Sequence, residues 1–236
     1  MLKASNLHFC FLLVTLFISG CNQLFTNEQS NATITEKKEP PPELLTLAVD
    51  SKTVLIPIEK IDSIKGYLSQ YHENERIDEI KRMHTTAFIS KSGIMYGDIR
   101  YSCGVKLCDH TLVQIKNNEI ISLSLHPGSI FIDRVFSPDE RYLAVLLGKN
   151  EGTEIIRHSL KVINTESFSV ANFTHDNDLV NQLTSSDFTI PILSISWENE
   201  KTLKATVPDT EDYKFETLLK WKQIENKTKE VFLTTE

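Results

Sequence analysis

Phe136-Ser137-Pro138-Asp139-Glu140-Arg141-Tyr142-Leu143-Ala144-Val145-Leu146-Leu147 decides the fold class. Ser137-Pro138-Asp139 is turn chemistry: proline presets φ, and the short polar side chains on either side bond to nearby backbone. Tyr142 to Leu147 then runs apolar without interruption, which predicts a central strand covered on both faces. Outward from it the period is two. Ile121, Leu123 and Leu125 alternate with serines; so do Leu193, Ile195 and Trp197. Leu203, Ala205 and Val207 alternate with Lys204 and Thr206, and Phe215, Leu219 and Trp221 are spaced around Glu216, Lys220 and Lys222. Such alternation predicts antiparallel strands with one buried face, so the chain from Thr85 onward reads as mainly β.

The N-terminal side has a different rhythm. Ile58, Ile61, Ile64, Leu68 and Tyr71 recur at three and four residues, as do Ile77, Ile80 and Met83. This predicts a helical lead-in over 57–83, with Pro57 in the first turn and Glu59 favouring its N-terminal end. Gly66 and the polar Glu73-Asn74-Glu75 divide it into two short helices. Leu44 to Val49, within 44–56, predicts an edge strand. Residues 21–43 have little to build a core, and Pro40-Pro41-Pro42 favours an extended spacer. The expected domain is 44–236, a single β-rich unit.

A repeat runs through that domain. His110-Thr111-Leu112-Val113-Gln114-Ile115 is echoed by His158-Ser159-Leu160-Lys161-Val162-Ile163, and Thr217 to Trp221 reads as a third copy. Upstream of the second copy is the Ser137-Pro138-Asp139 turn; Trp197-Glu198-Asn199-Glu200-Lys201-Thr202-Leu203 holds the equivalent place in the third. A Ser-Pro-Asp turn before an apolar strand resembles the blades of TolB-like and WD-repeat-like β-propellers. Those turns often continue with glycine, where this chain has Glu140, and no Trp-Asp pair closes a blade. Propellers need at least about four blades of roughly 40 residues, and only three units are present. The expectation is therefore a partial, propeller-like array of antiparallel, blade-like twisted sheets with a short helical segment covering an edge. An incomplete array of this kind is open to completion by a partner or by self-association.

The first twenty residues read as a leader: Lys3, an apolar run from Phe9 to Ile18, then Ser19 and Gly20. Ile18-Ser19-Gly20-Cys21 resembles the lipobox of bacterial lipoproteins. The resemblance implies a signal peptide over 1–20 and acylation at Cys21, which anchors the chain to the lipid bilayer. It also implies an extracytoplasmic address. Asn22 favours the outer membrane if the cell is Gram-negative; in a Gram-positive cell the anchor is the outer leaflet of the plasma membrane. The formal net charge of −7 argues against a nucleic-acid partner. Cys103 and Cys108 then remain as a pair that an exported protein oxidises to a disulfide; a metal site with His110 and free thiols are the alternatives.

Catalytic signatures are missing: no G-x-S-x-G, no P-loop and no supported S-x-x-K. His72 has no second histidine at position 76, so the zinc-protease pattern fails. His110, His126 and His158 read as structural, since none has a nucleophile beside it. His175-Asp176-Asn177-Asp178 with Asp187 departs from an EF-hand at Val180 and Asn181, and the stretch 173–186 reads as a surface loop. Asp98, Asp109, Asp133 and Asp139 are the acids that a carboxylate-dependent hydrolase needs in close pairs. Trp197 and Trp221 read as core. Tyr96, Asp98 and Tyr101, before a disulfide-stapled rim, read as a binding surface. The leading expectation is a non-catalytic envelope lipoprotein that binds a protein or glycan partner and needs no cofactor. A small-ligand accessory lipoprotein is the second reading, and the hydrolase the third.

Overall fold

The structure, a computed structural model, describes residues 43–174 and 178–236. The leader, Cys21, the linker up to position 42 and His175 to Asn177 lie outside the described residues.

The chain is mainly β, with four antiparallel sheets. A hairpin opens it: β1 (Leu44–Val49) turns at Asp50 and Ser51 into β2 (Lys52–Pro57), so the expected edge strand is two paired strands. A 3-10 turn (Ile58–Lys60) leads to α1 (Asp62–Leu68) and α2 (Glu73–Arg82). The lead-in is two short helices, as its polar interruption predicts, with Gly66 inside α1. At the start of α2 the Glu75 carboxylate accepts the His72 N–H at 3.1 Å, satisfying one free helix-end donor.

Three meanders follow. The first sheet has the order β3 (His84–Ile89), β4 (Met95–Tyr101), β5 (Asp109–Lys116), β6 (Glu119–Ser124). The second contains β7 (Ile130–Phe136), β8 (Tyr142–Glu151), β9 (Ile155–Asn164) and a two-residue β10 (Ser169–Val170). After α3 (Asp178–Thr184), the third has β11 (Ser194–Trp197), β12 (Thr202–Pro208) and β13 (Thr228–Thr234). Helix α4 (Phe215–Lys220) and a π turn (Trp221–Glu225) lie between the last two strands.

The sheets stack face against face, and three apolar cores fill the gaps. Leu47, Ile56, Ile64 and Leu68 pack the hairpin and α1 onto Ile99 and Val113 of the first sheet. Tyr96 and Leu112 meet Leu143, Val145 and Leu147 between the first and second sheets. Ala144, Leu146, Leu160 and Val162 meet Leu203, Ala205, Val231 and Leu233 between the second and third, with α3 beside them. Strand β8 is therefore apolar on both faces because a sheet lies on each side, as the uninterrupted run predicts. Gly97 is where the hairpin comes closest: a Cβ there would lie 2.6 Å from both methyls of Leu47.

Three expectations are corrected. Phe215 to Trp221 is helical, not a strand: Leu218 and Trp221 are buried at a three-residue spacing. The third strand of the last sheet is β13 instead, so Thr217 to Trp221 is no repeat copy. The loop read over 173–186 contains α3, which buries Val180 and Leu183. The N-terminal helices close a face of the first sheet, not an edge.

Candidate functional site

Strand β4 carries the three residues expected to form a binding surface, and the alternation of side chains separates them. Tyr96 and Tyr101 are an odd number of positions apart, so they point to opposite faces of the sheet. Tyr96 is buried among Phe88, Phe136 and Phe168, with its hydroxyl accepting a bond from Gln114 Nε2 at 2.9 Å. Burial raises its pKa. Tyr101 faces the first core and packs its ring 5.4 Å from that of Tyr67. Asp98 is 3% exposed and lies 2.8 Å, Oδ1 to Nδ1, from His110. The surface read from sequence is thus interior: Tyr96 packs between the first and second sheets, Tyr101 packs against α1, and Asp98 bonds within the first sheet.

The repeated histidines share a structural task. His110 in β5 donates from Nε2 to the carbonyl of Ser129, 3.0 Å away, just before β7. His158 in β9 occupies the matching strand of the next sheet. Its backbone N–H donates to Ile190 O, and its Nδ1 accepts the N–H of Ile192 at 2.8 Å, just before β11. Each ties the third strand of one sheet to the segment entering the next. Burial pushes His158 down to about 4, so the ring is neutral at ordinary pH. His126 is also held down to about 4, by burial and then by Lys161.

Cys103 and Cys108 form a disulfide across the β4–β5 connection. Gly104 N–H bonds to Leu107 O inside the loop, and Cys108 exchanges both backbone bonds with Ser129. The metal alternative fails here because the sulfurs are joined and both His110 nitrogens have partners. The acids are used singly: Asp109 accepts Gly128 N–H, Asp133 accepts Arg134 N–H, and Asp139 bonds Ser137 and Arg141. Among the described residues no cluster of three or more His, Cys, Asp or Glu side chains is placed to hold a metal ion.

Two features escaped the sequence reading. The first is the copy of the turn in the first sheet, Ser90-Lys91-Ser92-Gly93. Ser90 N–H bonds Ile94 O as Ser137 N–H bonds Tyr142 O, and Gly93 (φ 85°) matches Glu140 (φ 58°). Glu140 reaches back across the stack, its carboxylate accepting the N–H groups of Lys91 and Ser92. Against the raising effect of burial, these bonds hold its carboxyl below the usual range. The second is the outer edge of β13. The first two sheets carry a fourth strand there; the third carries none. The Thr174 N–H covers Thr234 O at one end. Among the described residues the outward backbone groups of Glu230 and Phe232 meet no backbone partner, and the Phe232 side chain is 50% exposed.

Among the described residues no helix is long and apolar enough to cross a membrane. Set beside protein-family models, curated proteins and solved structures, the chain matches none, which leaves its own geometry as the guide to function.

Proposed function

We propose that this chain is a lipid-anchored, extracytoplasmic binding module that acts without catalysis and receives an extended segment of an envelope protein. The observation that carries the reading is the third sheet, one strand short of its predecessors, with the edge of β13 open at Glu230 and Phe232. An unpaired edge is a template for strand addition, in which main-chain bonds supply affinity and alternate side chains supply selectivity. The neighbouring sheet face offers Phe232 and the Lys204–Glu230 ion pair for that selectivity. A glycan partner is less well served, because every tyrosine and tryptophan of the described residues is buried or half-buried. The tether rests on Ile18-Ser19-Gly20-Cys21, and acyl chains there would hold the module at the membrane where such partners are found.

The test has two arms. Cys21→Ser should move the protein from the membrane fraction to the soluble one. The wild-type chain, extracted in mild detergent, should run on a native gel as a complex with an envelope protein. Glu230→Pro, which removes one outward N–H from an edge strand, should return it to its own size. Membrane retention of Cys21→Ser defeats the anchor, and an unchanged complex in Glu230→Pro defeats the edge.

A further inference from the structure

A cleft of about 300 Å³ opens where α4 lies against β9. Ile156, Pro191, Leu193, Leu218 and Trp221 give it apolar walls, and His158 is its buried polar member. The volume is at the lower end of the range for small-molecule pockets, about 300–1,000 Å³. The Trp221 indole N–H is spent on Lys227 O, so that ring offers the cleft only apolar surface. The π turn after α4 provides the wider curl that seats it; such turns are frequent at functional sites. At the rim, Lys222 Nζ is held by the Glu154 carbonyl at 2.7 Å and its carboxylate at 3.1 Å, so the nearby charge is already neutralised.

His158 makes this more than an apolar hollow. The residue is 8% exposed, and its Nδ1 accepts the Ile192 N–H. The neutral ring must therefore carry its proton on Nε2. That N–H has no hydrogen-bond partner among the described residues. The residue is mostly buried while this N–H stays open to the cleft, so a ligand oxygen there would take the place of water on a donor that the apolar walls otherwise surround.

The geometry points to a binding site for a small, uncharged ligand with an aliphatic or aromatic body and one acceptor oxygen, such as a ketone or ester carbonyl, bonded to His158 Nε2–H. A carboxylate or an ammonium is disfavoured: either would leave water for apolar walls, and the one basic rim group is already paired.

The test uses the full chain in lipid nanodiscs, with empty nanodiscs as the blank, and two probes of nearly equal size. Acetophenone has the acceptor; ethylbenzene lacks it. The chain has two tryptophans, so its indole N–H spectrum separates the site from the rest of the fold. Acetophenone should shift the Trp221 signal saturably and leave Trp197 in place. Ethylbenzene should bind about tenfold more weakly, the net worth of one hydrogen bond. His158→Asn should bring acetophenone down to the affinity of ethylbenzene. Leu193→Trp, at a partly exposed wall position, should block both probes with Tm unchanged. No saturable shift, equal affinity for the two probes, or full binding in Leu193→Trp would each overturn the proposal. If neither probe binds and Leu193→Trp instead releases the protein partner, the cleft belongs to a protein interface and the proposal fails.

Discussion

Glu140 holds a left-handed backbone conformation (φ 58°) at the turn position where the first sheet has Gly93. Its Cβ strain is offset by the two N–H groups that its carboxylate accepts from Lys91 and Ser92. Glu140→Ala keeps the strain and loses the bonds, so it should cost about 1–2 kcal/mol. Glu140→Gly loses the same bonds but relieves the strain, and should be about 1 kcal/mol more stable than the alanine variant. Denaturant melts of the two variants check the difference; equal stability would show that the backbone carries no strain. His158 gives a pH signature. The unfolded ring takes up a proton near its ordinary value of 6.5, and the folded ring only at about 4. Its contribution is complete above pH 6.5, declines as pH falls from 6.5 to 4, and is flat below. The wild-type chain should lose on the order of 3 kcal/mol from this group across that window. Urea unfolding at several pH values should show a shallower slope for His158→Asn. The structural role of both repeated histidines was legible in the sequence, because each lacked a neighbouring nucleophile. The burial of Tyr96 was not, since beyond its cross-strand partner Phe88 the aromatic cluster around it comes from Phe136 and Phe168, which are distant in the chain.

The elements show why periodicity succeeded in some places and failed in others. Strand β8 was readable because both of its faces are apolar. Strand β12 was readable because Leu203, Ala205 and Val207 are buried in strict alternation. Strand β13 was hidden by Phe232, an apolar residue on its exposed face, which breaks the alternation between Val231 and Leu233. Helix α4 was mistaken for a strand because its apolar positions fit either period over so short a run; only Leu218, buried together with Trp221, marks the helical face. The Cys103–Cys108 loop belongs to this scale too. It fixes the β4–β5 turn, and its Cys108 end pairs with Ser129, the residue that also receives His110. Replacing both cysteines by serine should cost about 2 kcal/mol, the loop-closure entropy of so short a ring. Thermal melts with and without reductant measure it: the wild-type chain should drop to the Tm of the double variant when reduced, and the variant should not respond.

At the level of the whole molecule, the blade-like reading was available from two spaced turns, at Ser137-Pro138-Asp139 and Glu198-Asn199-Glu200, and the structure places each between the first two strands of a sheet, with the Ser90 to Gly93 turn as the unread third. The order of stacking was not available, because face-to-face contacts join residues whose separation the sequence pattern does not encode. The last of the three meanders is one strand short of the two before it, and that open edge, with the lipobox-like Ile18-Ser19-Gly20-Cys21, is the basis for proposing a tethered binding module. Its most direct test is a photo-cross-linking amino acid at position 232 in cells. Strand addition at this edge gives an adduct with one envelope protein, mapped to an extended segment of that partner, present in the otherwise wild-type chain and lost when Glu230→Pro is added. An adduct that survives Glu230→Pro, or a position 232 that cross-links to no protein at native abundance, would contradict it.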